Sequence, residues 1–388
     1  MKDTVFIQFY SFTSWAPICI ELGNGFSDTY DFCKSKGDIH WIKYYHDKEP
    51  NTEFIIDKGT AYISALYTGH LYTAYLWAKK YPEVKFIVGG PATVAHFITK
   101  KLPSNFILMR GSVEEWFGIQ HFPCEWKLKL PEEVQPDDII YFTYVLDNTC
   151  YWSKCIFCSC TIDNKIDDRF RKNLNFEFKN ITHKGPLMIR LGTHAIQSQD
   201  IKNLCNLPKL SNLNGYRIFI RPSKKEFEAL KSFANLDWSY NIKFCMGLEF
   251  PTKRMWRYMN KGYRTETVLG IINLLKYNFH ISMILGWNNL IKKDLEDLED
   301  FMKRLPNDKP DTSIKIARLY VQPGTPMYDT HEKQGEDWNG PFYVGSYVKL
   351  NKEQFELNEL AEEIIVKYSK EKNYFLLNLY NQEKLKIN

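Results

Sequence analysis

The sequence predicts an α/β protein: an N-terminal Rossmann-like, doubly wound domain, then a partial (β/α)6 barrel and a helical C-terminal tail. Three observations carry this reading. Apolar strand-like runs alternate with helical stretches along most of the chain, a pattern that implies parallel sheets covered by helices. Pro123, Pro131 and Pro136 fall among charges and mark a linker. Four of the nine cysteines crowd between residues 150 and 160, directly after the first strand of the second series. The expected division is a domain over 1–118, a linker over 119–138, a barrel over 139–340 and a helical region over 341–388.

In the first series, strands are expected at Val5–Tyr10, Ile39–Tyr45, Thr60–Tyr67, Val84–Val88 and Phe106–Met109. A helix opens at Thr68-Gly69 and runs to Lys80, stopped near Pro82, and a second is expected over Ala92–Lys101. In a doubly wound sheet the ligand crevice lies beyond the carboxyl ends of the strands. Tyr67, Thr68 and Gly69 sit there, as do Gly89 and Gly90. Glycine lets backbone approach a ligand closely. The same glycines would also serve as plain turn residues.

In the second series, six strands are expected at Ile139–Val145, Leu187–Leu191, Tyr216–Ile220, Ile242–Met246, His280–Leu285 and Ser313–Leu319. Helical stretches such as Thr265–Tyr277 and Lys293–Leu305 separate them. Polar residues and glycines cluster where the strands end: Gly192-Thr193-His194, Gly247-Leu248-Glu249, Gly286 and Tyr320. Loops at that end of an α/β barrel carry chemistry. Residues 351–382 read as one amphipathic helix, with Leu357, Leu360, Ala361, Ile364 and Ile365 facing the barrel.

Bulk properties narrow the function. The 388 residues carry a net charge of +5, which by itself is too weak to argue for nucleic acid. No apolar run approaches the roughly 18–20 residues of a membrane span. The first residues show no secretory pattern, so a cytoplasmic location is expected. There thiols stay reduced, and clustered cysteines mean metal or redox chemistry.

The cluster reads Cys-x4-Cys-x2-Cys at Cys150, Cys155 and Cys158, with Cys160 two residues on. Thiolates select zinc, copper(I) or iron–sulfur clusters. Three readings stand: an iron–sulfur cluster with one open iron, a four-thiolate structural metal site, and unligated core cysteines.

Taken together, these motifs resemble the radical S-adenosylmethionine enzymes with an N-terminal cobalamin-binding-type domain. The resemblance rests on the cysteine loop, on Gly247-Leu248-Glu249 followed by Met259-Asn260-Lys261-Gly262, and on Gln322-Pro323-Gly324-Thr325-Pro326-Met327-Tyr328. Val88-Gly89-Gly90 and Arg110-Gly111-Ser112-Val113-Glu114 carry it upstream. It spans roughly residues 5–335. There are departures. The commonest loop of the superfamily has three residues between its first two cysteines, and this one has four. The glycine-rich end of the second barrel strand is reduced to Gly192-Thr193-His194. No Asp-x-His-x-x-Gly offers a lower cobalt ligand.

The resemblance implies a [4Fe–4S] cluster on Cys150, Cys155 and Cys158, with S-adenosylmethionine on the open iron. One electron then gives methionine and a 5′-deoxyadenosyl radical, which takes hydrogen from substrate. It implies that Phe157 meets the adenine, that Glu249 lies near the ribose, and that Gly192, Thr193 and Gly286 flank the nucleoside. Tyr67, Thr68, Gly69, Gly89 and Gly90 would border cobalamin, and methylcobalamin would then methylate an unactivated carbon. Without cobalamin the radical would drive epimerisation, cyclisation or rearrangement. Cys160 is a fourth ligand, a spare thiol or a catalytic group, and Tyr320 is a candidate hydrogen donor. The expected partners are a small-molecule or peptide substrate and an electron donor such as flavodoxin or ferredoxin, with no nucleic acid and no membrane. Methylthiolation of transfer RNA is disfavoured, because Cys19, Cys33 and Cys124 do not resemble that family's N-terminal cluster motif. From another class, the chain could be a non-enzymatic metal-binding module.

Overall fold

A computed structural model describes residues 3–12, 19–22, 30–45, 50–65, 68–90, 97–98, 101–109, 116–118, 138–145, 150–158, 185–192, 211–233, 241–274, 278–307, 309 and 312–380. The N-terminal strands are β1 (Thr4–Phe12), β2 (Cys19–Leu22), β3 (Asp38–Tyr45), β4 (Gly59–Ser64), β5 (Val84–Gly89), β6 (Phe97–Ile98) and β7 (Phe106–Leu108). Helices α1 (Tyr30–Lys36) and α2 (Thr68–Lys80) lie among them. Strands β3, β1, β4, β5 and β7 pair in that order, all parallel. Counted along the chain this is the order 2-1-3-4-5 of the flavodoxin-like doubly wound fold, whose crevice opens where the order reverses, here between β1 and β4.

Strand β1 shows why the sheet is covered on both faces. Its residues Val5 to Phe9 are all buried, the near-continuous apolar run that a two-sided parallel strand requires. Val5, Ile7 and Phe9 pack with Leu71, Ala74, Trp77 and Ala78 of α2. Phe6 packs the other way, with Cys33 of α1 and with Trp116 and Phe117.

The second series supplies β8 (Ile139–Val145), β9 (Leu187–Gly192), β10 (Leu213–Phe219), β11 (Asn241–Glu249), β12 (Asn278–Leu285) and β13 (Ser313–Arg318). Each pairs in parallel with the next. All six expected barrel strands are therefore present. Helices α3 (Lys224–Phe233), α4 (Lys253–Tyr258), α5 (Thr265–Leu274) and α6 (Lys292–Arg304) connect them. Trp256 and Trp287 are fully buried in this core. Burying a large apolar side chain of this kind stabilises by roughly 1.5–3 kcal/mol.

Two expectations need correction. Ala92–Lys101 was expected to be helical, yet its described pair Phe97–Ile98 is strand β6. Phe342 and Tyr343, far away in sequence, offer it an antiparallel edge. The helix expected over 351–382 stops at Glu371: α8 (Lys352–Glu371) is followed by β17 (Phe375–Asn378), which adds a seventh parallel strand beside β13. Leu357, Ala361 and Ile365 of α8 are buried as expected, whereas Leu360 is exposed. Most of the expected linker, residues 119–137, lies outside the described residues.

Two short pieces join the halves. Strand β2 runs antiparallel to the end of β1 and parallel to β8, so the two parallel series form one sheet. After β14 (Tyr320–Val321) and α7 (Pro326–Thr330), the hairpin β15 (Lys333–Asn339) and β16 (Phe342–Val348) forms a second sheet. One edge of β16 pairs with β6 and then with β14. Phe342 is fully buried in the N-terminal core beside Tyr75 and Phe106.

Candidate functional site

The cysteine loop follows the carboxyl end of β8, and the groups that hold it come from the same ends of other barrel strands. Ile156 N–H donates to the Met259 carbonyl after α4 at 3.2 Å, and Ile156 C=O accepts from Met327 N–H at 2.9 Å. Cys158 N–H donates to Cys155 C=O at 3.2 Å. Ser153 takes a left-handed backbone with φ 42°, and its hydroxyl donates to the Cys150 carbonyl. Trp152 Nε1 donates to the Asn260 carbonyl at 2.6 Å. The turn that supplies Met327 is built by Thr325, whose hydroxyl donates to Gln322 C=O at 2.7 Å and accepts from Tyr328 N–H.

Cys150, Cys155 and Cys158 are half-buried and in no disulfide. Burial pushes the Cys155 thiol up to about 11; Lys261 and Arg221 oppose the rise, and the Cys158 and Cys150 thiols add to it. Among the described residues no three His, Cys, Asp or Glu side chains already stand as a metal site. The donor chemistry of the three cysteines fits an iron–sulfur cluster: three soft thiols on one short loop, in a partly dry setting with two cations near.

Glu249, at the end of β11, is buried and has a left-handed backbone with φ 59°. Lys261 Nζ donates to its Oε1 at 2.7 Å, and both side chains are nearly closed to solvent. Burial would drive the Lys261 ammonium down, but Glu249, helped by Tyr263 and Cys155, outweighs it and holds Lys261 above its ordinary range. A Cβ on Gly247 would sit 2.6 Å from Glu249 Oε1, so this glycine leaves room for the pair. Arg221, after β10, donates to the Lys261 carbonyl and lies 3.9 Å from the Trp152 ring centre and 4.9 Å from that of Tyr263. Gly262, with φ 66°, is needed where Trp152 comes within 2.8 Å of a would-be Cβ.

The remaining predicted positions separate into groups. Phe157 stands edge-on to Trp287 with centroids 5.9 Å apart, and Trp287 meets Tyr258. Gly286 has φ 97°, and its N–H already donates to Asn358 Oδ1 of α8 at 2.6 Å. Tyr320 packs edge-on against Tyr347 of the hairpin. Gly192 ends β9, while Thr193, His194 and Cys160 lie outside the described residues. So does Tyr67. Thr68 and Gly69 open α2, but a Cβ on Gly69 would overlap the Tyr44 hydroxyl, and one on Gly89 would overlap the Trp116 ring. Gly90, with φ 98°, closes against Ala65. These N-terminal glycines serve packing within the protein. His70 is likewise buried, stacked on Phe9 at 4.2 Å.

Sequence reasoning missed Lys261 and Arg221. The signal for Lys261 was its place in Met259-Asn260-Lys261-Gly262; Arg221 showed only as a cation at a strand end.

With this geometry in hand, comparison with solved structures is decisive for the fold. OxsB, a cobalamin-dependent S-adenosylmethionine radical enzyme solved with aqua-cobalamin and S-adenosylmethionine, aligns with a TM-score of 0.57 over 94% of this chain at 13% identity. The chain spans 66% of the OxsB chain. TsrM from Kitasatospora setae, a radical S-adenosylmethionine methyltransferase solved with cobalamin and a [4Fe–4S] cluster, aligns with a TM-score of 0.59 at 9% identity, over 97% of this chain and 93% of its own. The chain has the fold of the cobalamin-dependent radical S-adenosylmethionine enzymes. At these identities the likeness is one of fold. No protein-family model and no curated protein matches the sequence. No helix among the described residues is long and apolar enough to cross a membrane.

Proposed function

We propose that this protein is a radical S-adenosylmethionine enzyme with a [4Fe–4S] cluster on Cys150, Cys155 and Cys158, and that it methylates carbon with the help of cobalamin. One observation carries the first part: three thiols on a single loop, pinned by Met259 and Met327 at the carboxyl ends of the barrel strands. When bound, the cluster supplies the electron that splits S-adenosylmethionine to a 5′-deoxyadenosyl radical, and the cofactor carries that hard chemistry.

The protein's own residues bind and orient. Phe157, half-buried beside the loop and backed edge-on by the buried Trp287, offers an aromatic face that suits an adenine ring. Glu249, fixed by Lys261, is a buried acceptor for the polar groups of the nucleoside. Tyr258, hydrogen-bonded to His331 at 2.6 Å, packs edge-on against Trp287. Tyr320 and Cys160 are the candidates for contact with substrate, a small molecule or peptide. Reduced flavodoxin or ferredoxin is the expected electron donor, and the cytoplasm the expected setting.

Cobalamin would supply a methyl group, with the crevice between β1 and β4 as its place. Strand order favours that crevice, while Gly69 and Gly89 are occupied by Tyr44 and Trp116. That occupation favours a second reading, cobalamin-independent cyclisation, epimerisation or rearrangement. Anaerobic reconstitution with S-adenosylmethionine and dithionite, with and without cobalamin, tests both. The expected product is 5′-deoxyadenosine, and a cluster-loaded, reduced protein that makes none with any candidate substrate would refute the radical reading. Equilibrium dialysis against hydroxocobalamin separates the two: retention at tens of micromolar favours methylation, and no retention favours the second reading.

A further inference from the structure

The cysteine loop rests on two buried cations that the reading above uses only for packing and for fixing Glu249. Arg221 and Lys261 reach it from different strand ends, after β10 and after α4. The Arg221 guanidinium lies 3.9 Å from the Trp152 ring centre, 4.9 Å from that of Tyr263 and 6.0 Å from that of Tyr151. The Lys261 ammonium stands 5.5 Å from the ring centre of Phe157, the residue before Cys158, and 5.1 Å from that of Tyr263. Aromatic faces hold a cation in place without cancelling its charge. Two carboxylates stand behind them: Glu249 is bound to Lys261, and Glu226 is bound by the Ser223 hydroxyl near Tyr151 and Arg221. Burying charges costs several kcal/mol per ion unless each is well partnered. Here both cations stand against the aromatic rings of the loop, next to the cysteines.

We infer that Arg221 and Lys261 are positioning residues that set the reduction potential of an iron–sulfur cluster on Cys150, Cys155 and Cys158 by favouring its reduced form. This rests on the cluster assignment above. With three thiolates, an oxidised [4Fe–4S] cluster carries a net charge of −1. It takes one electron from reduced flavodoxin or ferredoxin, or from dithionite in the assay, and reaches −2. The donor loses that electron, no bond forms or breaks, and no proton moves. Fixed positive charge lowers the free energy of the more negative state, and net charge and solvent exposure are among the factors that set such potentials.

The test uses the full chain, loaded anaerobically, analysed for iron and sulfide, and titrated potentiometrically with the reduced cluster read by electron paramagnetic resonance. Arg221→Gln keeps an amide that can donate to the Lys261 carbonyl but removes the charge. It should lower the reduced-to-oxidised ratio at a given potential about tenfold, equivalent to about 59 mV for one electron. Arg221→Lys restores the charge without the planar stack and should stay within about threefold of the parent, or about half that shift. Full iron with an unchanged potential in Arg221→Gln would overturn this inference and leave the cluster assignment standing. So would an Arg221→Lys shift as large as that of Arg221→Gln. A parent protein that holds no cluster would remove both. Where Arg221→Gln fails to load, Lys261→Gln alone, which removes one positive charge and keeps a donor for Glu249, decides: a shift in the same direction supports the inference, and no shift overturns it. Failure of both to load supports it when Arg221→Lys loads and overturns it when that variant fails too.

Discussion

Replacing Lys261 with Met tests the physical centre of the site. Its ammonium and the Glu249 carboxylate meet at 2.7 Å, with side-chain exposures of 6% and 11%. At an effective dielectric near 20, unit charges about 4 Å apart attract by about 4 kcal/mol. Desolvation of the two ions offsets much of that, so the pair as a whole adds little net stability. Removing one partner is different, because it leaves the other ion buried alone, at about 3–5 kcal/mol. Lys261→Met and Glu249→Gln should each destabilise the metal-free protein, Lys261→Met more, since a bare carboxylate remains. The double variant should lie well above the sum of the two, with a coupling of about 2 kcal/mol or more, compared with roughly 0.2–1 kcal/mol for exposed pairs. Urea unfolding followed by tryptophan fluorescence measures the cycle, and Trp152 and Trp256 lie close to the site. A coupling below about 1 kcal/mol would refute the claim that the pair is buried and mutually dependent.

Three further outcomes are expected. Cys150→Ala, Cys155→Ala or Cys158→Ala should lose cluster iron and sulfide on reconstitution, whereas Cys160→Ala should keep them; loss of the cluster from the Cys160 variant would reassign the ligands. Asn358 is fully buried, accepts from Gly286 and Trp287 N–H and donates to Trp287 C=O; Asn358→Leu should destabilise by roughly 3 kcal/mol, because each stranded backbone group costs about 1–3 kcal/mol, read as a lower urea midpoint. Burial lowers the His331 pKa from 6.5, so the unfolded chain binds that proton more readily and stability is complete above about pH 6.5 and falls below it; the urea midpoint should drop between pH 7.5 and 5.5, and a His331→Asn variant should lose part of that slope.

Local pattern made the strands legible. A buried parallel strand such as Val5–Phe9 is apolar except for Gln8, and the cysteine spacing survives any tertiary arrangement. What stayed hidden depends on partners distant in sequence. Phe97–Ile98 is a strand because Phe342–Tyr343 offers it an edge, and no propensity within 92–101 encodes that edge. Phe375–Asn378 leaves the helical pattern because β13 has a free side for it. Glycines are ambiguous for the same reason: at Gly69 and Gly89 the protein's own Tyr44 and Trp116 come close, and sequence says that something comes near without saying what. Glu249 was visible as a strand-end carboxylate, but its partner lies across a turn and a helix, twelve residues on.

How the cysteine loop is held separates a catalytic cluster from a structural metal. In small metal-folded modules the ion orders the ligands, so binding energy and folding energy are one. Here the ordering is done by protein. Ile156 is fixed on both sides by Met259 and Met327, Trp152 is tied to Asn260 and stacked under Arg221, and the Ser153 hydroxyl closes the turn onto Cys150. Fixing the backbone of one residue costs roughly 1–2 kcal/mol, and these contacts within the protein offset part of that cost for the loop. The pinned loop and the charged groups beside Phe157 are the features that the proposed redox cluster would use, and iron analysis with potentiometry of the Arg221 variants tests that use.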